Sequence, residues 1–137
     1  MSHARTQVRG AVAALVTGLT TTGFRVFQSR IRPQAESSLP CLLVTANDEQ
    51  VEASVDGILT RNLSIAIRGI AMGNSSLDVL LDQIALEVET AMAAVPRATF
   101  DRLEVDFDET LEKPVGSITL NYQYQYFTAA DNPAVMI

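Results

Sequence analysis

The run from Ser117 to Thr128 alternates without a break, with Ile118, Leu120, Tyr122, Tyr124 and Tyr126 on one parity and Thr119, Asn121, Gln123, Gln125 and Phe127 on the other. Successive side chains of a strand point to opposite faces, so this pattern is a long strand with one apolar face and one largely hydrogen-bonding face. If its apolar side chains are buried, each contributes about 1.5–3 kcal/mol before chain entropy is counted, which makes the strand central to stability. The run from Arg102 to Leu111 alternates as well, with Leu103, Val105 and Phe107 opposed by Glu104, Asp106 and Asp108. The connection holds Pro114 and Gly116 and suits an antiparallel hairpin. Lys113, Pro114 and Gly116 read as the turn that sets its register, with Pro114 driving Lys113 towards an extended conformation and Gly116 able to take a positive φ.

Upstream, Val8, Val12, Leu15, Val16 and Leu19 recur at helical spacing between Arg5 and Leu19, and Thr20-Thr21-Thr22-Gly23 stops the helix. Phe24 to Arg30 then reads as a strand. Leu39 to Ala46 is a near-continuous apolar run of strand length, expected inside a sheet with both faces covered, and Asn47-Asp48-Glu49 reads as its polar exit. Ile58 to Ile70 alternates, but Arg61 shares parity with Leu59 and Leu63, so it either snorkels to water or marks a strand that projects beyond the core. A second helix runs from a capping-box variant, Ser75-x-x-Asp78, to about Val95, with Leu77, Leu80, Leu81, Ile84, Val88, Met92 and Val95 on its apolar face and Pro96 closing it.

The order α-β-β-β-α-β-β predicts a single α+β domain over 1–137, with a mainly antiparallel or mixed sheet and two helices packed on one face. Residues 129–137 read as a flexible C-terminal tail. A length of 137 residues and 47% hydrophobic content fit one core with no need of staples. Cys41, the single cysteine, excludes an intrachain disulfide and reads as a small buried hydrophobe.

A formal net charge of −6 argues against a basic surface for nucleic acid, because such binding is driven by Lys and Arg neutralising phosphates. It leaves room for a surface that DNA slides past. No apolar run reaches the roughly 18 residues of a spanning helix, and no signal-peptide core follows Met1, so neither membrane association nor export is expected. His3 is the only histidine, which leaves nucleophile–base pairs and zinc sites without components. The glycines form no phosphate-binding pattern. No catalytic residue, metal or cofactor is expected.

Two charged groups remain. Glu104, Asp106 and Asp108 share one strand face, where carboxylates could hold a hard cation or act as an acid/base pair. A solvated strand face is the more economical reading, and an assembly surface or a passage lining comes next. Arg25, Arg30, Arg32, Arg61 and Arg68 are spread over the early strands, and arginine suits bidentate pairing with carboxylates of a neighbouring subunit. Glu104, Asp106, Asp108, Arg30, Arg61 and Arg68 are therefore the candidate lumen or subunit-interface residues.

The N-terminal amphipathic helix, Val26-Phe27-Gln28-Ser29-Arg30, Leu39-Pro40 entering an apolar strand, Asp48-Glu49, the acidic second helix and Glu112-Lys113-Pro114-Val115-Gly116 before a Tyr-rich strand occur in an order that resembles the tail-terminator group of long-tailed bacteriophages, the minor tail protein U type. The resemblance implies a non-enzymatic virion protein, assembled in the host cytoplasm, at the head-proximal end of the tail. There it would form a hexameric ring on the major tail tube protein, end polymerisation and offer a docking surface to a head-completion or connector protein, while viral DNA passes through without specific binding. A closed heterologous ring needs two different complementary faces on one subunit. Two other readings stand beside it: a head–tail connector or neck protein, and a small carboxylate-dependent hydrolase using Asp106 and Asp108.

Overall fold

A computed structural model describes residues 2–28, 39–73, 76–108 and 114–137. Its elements are α1 (Ala4–Leu15), β1 (Val26–Phe27), β2 (Cys41–Ala53), β3 (Ile58–Met72), α2 (Leu77–Met92), β4 (Ala98–Asp108), β5 (Val115–Ala129) and β6 (Asn132–Met136). The sheet runs β1-β2-β3-β5-β4, with β6 pairing the far end of β5. Among the described residues only the short β1–β2 pair is parallel, so the sheet is mixed and mainly antiparallel.

The spine of the sheet is the β3–β5 pair, matched over fifteen residues from Ile58↔Ala129 to Met72↔Val115 with no shift in register. The parity of β5 sets the layering. Ile118, Leu120, Tyr122 and Tyr126 lie with Leu63, Ile65 and Ile67 beneath both helices. Helix α1 adds Ala4, Val8, Val12 and Ala13 to this core, and α2 adds Leu77, Leu81, Ile84, Ala85, Val88 and Met92. Two helices on one face of an α+β sheet is the layout the alternation predicts. A smaller apolar cluster sits on the opposite face at one end, where Cys41, Leu43, Ile70 and Val115 pack with Phe27, Leu39 and Met72.

Several local expectations change. Helix α1 ends at Leu15, and Leu19 instead bridges to Gly23. β1 is two residues long rather than a strand from Phe24 to Arg30. Asn47-Asp48-Glu49 is no exit, because β2 continues across a bulge between Ala46 and Glu49 as far as Ala53. The β2–β3 turn closes through Ser54 N–H donating to the Ile58 carbonyl at 3.0 Å, with Gly57 at φ +80°, a backbone conformation that glycine takes without a Cβ clash. Ser76 is the N-cap of α2 and makes no side-chain capping bond, while Ser75 lies outside the described residues. The expected tail is a turn followed by β6, and Gln7 Nε2 on α1 donates to the Ala134 carbonyl at 2.6 Å.

Gly116 is also corrected. It lies inside β5, opposite Ala71 and Phe107, and positive φ occurs only at Gly18, Gly23 and Gly57 among the described residues. Its bareness is required by packing, since a Cβ there would meet Leu81 Cδ1 at 2.9 Å, Leu77 Cδ2 at 3.2 Å and Phe107 Cδ1 at 3.2 Å. Gly69 on β3 plays the same part under Ile84. These two positions let α2 settle closely onto the sheet.

Candidate functional site

With both helices on one side, the other side of the sheet carries no helix among the described residues. Its middle is built largely from hydroxyl and amide side chains, Thr60, Asn62 and Ser64 on β3 and Gln125 and Gln123 on β5, with Phe127 opposite Thr60 at one end. Gln123 Nε2 donates to Ser64 Oγ at 2.9 Å, so two rows of neutral polar groups are tied across the strand pair. The bulge on β2 and a second on β4, between Phe100 and Arg102, bring Asp48 and Asp101 to opposite margins of this area. Asp48, Gln50, Asn62, Ser64, Asp101 and Gln123 line a trough of about 450 Å³. It is wide and polar, and its charge lies at its margins.

β4 continues the acidic border. Glu104 accepts from Arg102 Nη2 at 2.7 Å and from Asn121 Nδ2 at 3.3 Å, an exposed arrangement that water and salt weaken. Asp106 and Asp108 meet Arg68 and Ser117 around a depression of about 170 Å³, and Arg68 Nη2 donates to Ser117 Oγ at 3.5 Å. The fold thus gathers Arg68, Asp106, Asp108 and Gly116 at one place, with Glu104 further along the same face of β4. Arg30 and Lys113 lie outside the described residues, as does Arg32. Pro114 accepts the Gly73 N–H through its carbonyl at 3.1 Å.

Arg61 is elsewhere. It neither snorkels nor projects but points to the helix side, where its Nη1 lies 3.0 Å from Glu49 Oε2 and its Nε donates to Thr128 Oγ1 at 2.8 Å. Its side chain and that of Glu49 are 9% and 11% exposed, and the Tyr126 hydroxyl donates to the other oxygen of Glu49. Burial and the Glu49 carboxylate push the Tyr126 phenol well above its ordinary value. The four side chains form one internal network that closes the sheet near β6, so Arg61 is engaged inside its own chain. Arg25 is likewise internal, donating to the Pro40 and Thr21 carbonyls. On the same helix side, burial and the charge of Glu89 push the Tyr122 phenol up to about 12.

Glu49 escapes a reading by local pattern because the bulge in β2 changes the phase of its alternation, and with it the network it forms with Tyr126 and Thr128 of β5. The tie between Ser64 and Gln123 is missed for another reason, that parity within a strand does not name the strand's partner. One signal was present in the sequence: β3 and β5 both carry unbroken runs of small or amide polar residues on one parity.

Among the described residues no three His, Cys, Asp or Glu side chains gather as a metal-ion set, and no helix is long and apolar enough to cross a membrane. No protein-family model matches this sequence, and no curated protein matches it.

Proposed function

We propose that this protein is a structural subunit of a phage tail, assembling as a hexameric ring that caps the tail tube, ends its polymerisation and receives the head through a connector protein. The observation that supports this reading is the helix-free sheet face, neutral and hydrogen-bonding in its middle and bordered by Glu104, Asp106 and Asp101. Turned towards the axis of a ring, such a face gives a polyanion no cationic row to adhere to, and its carboxylates repel phosphates over about a Debye length, roughly 8–10 Å at moderate salt. Arg68 and Arg102 are exposed cations there, and carboxylates offset both, since Arg68 shares its depression with Asp106 and Asp108 and Arg102 is paired with Glu104. The ordered element resemblance described above points the same way.

The test is electron microscopy of tails made in cells whose phage or prophage lacks this gene. Overlong tails, returned to uniform length by the gene in trans, are expected. Tails of normal length that fail to join heads would reassign the protein to the neck.

A further inference from the structure

β4 is the last strand of its sheet, and among the described residues no strand pairs its outer edge from Thr99 to Phe107. Phe100, Leu103, Val105 and Phe107 face the helix side, opposite Tyr122, Leu120, Ile118 and Gly116, yet each is 40–47% exposed. The reason is the reach of α2, which packs chiefly over β3 and β5 and leaves β4 exposed from Thr99 onward. Phe100 stacks on Tyr122 with ring centroids 5.1 Å apart, and at this end Glu89, Met92 and Phe100 line an open groove between helix and strand. The opposite face of β4 carries Arg102, Glu104 and Asp106. An edge of this kind is normally blunted by Pro, Lys or a bulge. Here the only interruption is the bulge at Asp101, and the ladder from Arg102 to Phe107 is regular, with neither Pro nor Lys.

We propose that the outer edge of β4 is a docking site for an extended segment of a partner protein in which apolar and basic residues alternate, added as a further antiparallel or parallel strand. Such a segment satisfies three features at once. Its backbone meets the open N–H and C=O groups of β4, its apolar side chains cover Leu103, Val105 and Phe107 beside α2, and its Lys or Arg side chains stand against Glu104 and Asp106. A second copy of this chain fits poorly. Two β4 edges paired antiparallel over the regular stretch from Arg102 to Asp106 set Glu104 against Glu104 at the centre, which cross-strand pairing penalises, and only Arg102 is then left to meet Asp106. A docked helix would cover the apolar stripe but leave the edge groups to water. The proposal does not depend on the ring, since it concerns an edge that is open in the single chain.

The experiment titrates the full chain with a labelled peptide of about seven residues, Val alternating with Lys and Arg, followed by fluorescence anisotropy. Saturable binding is expected, weaker at high salt. It should weaken about tenfold or more when the peptide is N-methylated on the residues that face β4, when its basic residues become Glu, or when the protein carries Leu103→Lys with Val105→Lys. The peptide changes leave the protein untouched, so they read the edge even if the double variant folds poorly. Equal binding of a peptide of the same composition with the alternation scrambled overturns the proposal, as does indifference to N-methylation, which would mean the stripe takes a helix. Sedimentation showing a wild-type dimer that Leu103→Lys with Val105→Lys dissolves also overturns it, because the occupant is then a second copy.

Discussion

β3 and β4 both alternate in sequence, and β4 does so more cleanly, yet their fates differ. β3 carries an arginine on its apolar parity and is buried along most of its length, with Leu63, Ile65 and Ile67 at 0–1% exposure. β4 keeps Leu103, Val105 and Phe107 on one side without exception, and every residue from Thr99 to Asp108 is exposed. Period two tells which side chains share a face. What covers that face is decided by helices placed elsewhere in the chain, and here α1 and α2 together cover β2, β3 and β5, while of β4 only Ala98 packs against the core and the rest stays exposed. The price of burial also differs, since an arginine admitted to the covered region needs Glu49 and Thr128 to meet it, whereas the charges of β4 stay in water.

The sharpest way to break this comparison is to remove the partner of a buried charge. Arg61→Ala leaves the Glu49 carboxylate buried with Tyr126 alone, and urea melts should show a loss of about 3–5 kcal/mol. Pairing Arg61→Met with Glu49→Leu should recover most of it, because no charge is then left uncompensated. If Arg61→Ala melts at the wild-type midpoint, the covered region does not treat the arginine as buried.

Leu103 and Leu120 stand directly opposite each other across the β4–β5 ladder, one 41% exposed and the other fully buried. Leu120→Ala should cost about 2–5 kcal/mol by chemical denaturation, as cavity-forming core changes do. Leu103→Ala should stay within about 0.5 kcal/mol of the wild type, in the range of surface substitutions. Equal losses would mean that β4 is covered in solution.

The two close-approach glycines sharpen the same boundary more gently. A Cβ on Gly69 would lie 2.7 Å from Ile84 Cγ2, a branch held near its own backbone, so Gly69→Ala should cost about 1–3 kcal/mol in the same melts. Gly116→Ala should cost less, because its nearest neighbour is the end of the Leu81 side chain, which can turn aside.

The smallest effect is at Glu87 on α2. Burial works to raise its carboxyl, but the Thr21 hydroxyl and N–H and the Gln83 amide donate to it and hold it below the ordinary value of 4.5. A depressed folded-state value means that this stabilisation is complete above the ordinary carboxylate range and is lost as pH falls through the lowered value. Thr21→Val should move the Glu87 titration upward by NMR and flatten the acid side of the stability curve. An unmoved titration would detach this contact from the helix layer.

Much of the fold was legible because β5 and α2 have long, consistent periods, and the helix-covered parity of β5 follows directly from Ile118, Leu120 and Tyr122. The bulges were not legible. One extra residue near Asp48 hands the helix-facing role from the even residues Leu42, Val44 and Ala46 to the odd residues beginning at Glu49, and a local pattern reads that as the end of a strand. The packing role of Gly116 was hidden for a related reason, as its neighbours Leu77 and Leu81 lie far away in sequence and only the folded sheet brings them within 4 Å. Of the candidate residues, Arg68, Asp106 and Asp108 converge because β3, β5 and β4 are adjacent, an order that no single strand encodes.

The uninterrupted β3–β5 pair also bears on how the chain reaches this state. Met72 must find Val115 and Ile58 must find Ala129, with all of α2 and β4 lying between them in sequence. The β2–β3 hairpin, closed by a short turn at Gly57, is by contrast a local event. Closure entropy is spent before distant pairs return anything, so the spine of the sheet is assembled late and slowly compared with its flank. Until β5 arrives, the apolar residues of β3 and α2 share no lid, and the interval before that closure is when this chain is most exposed to aggregation.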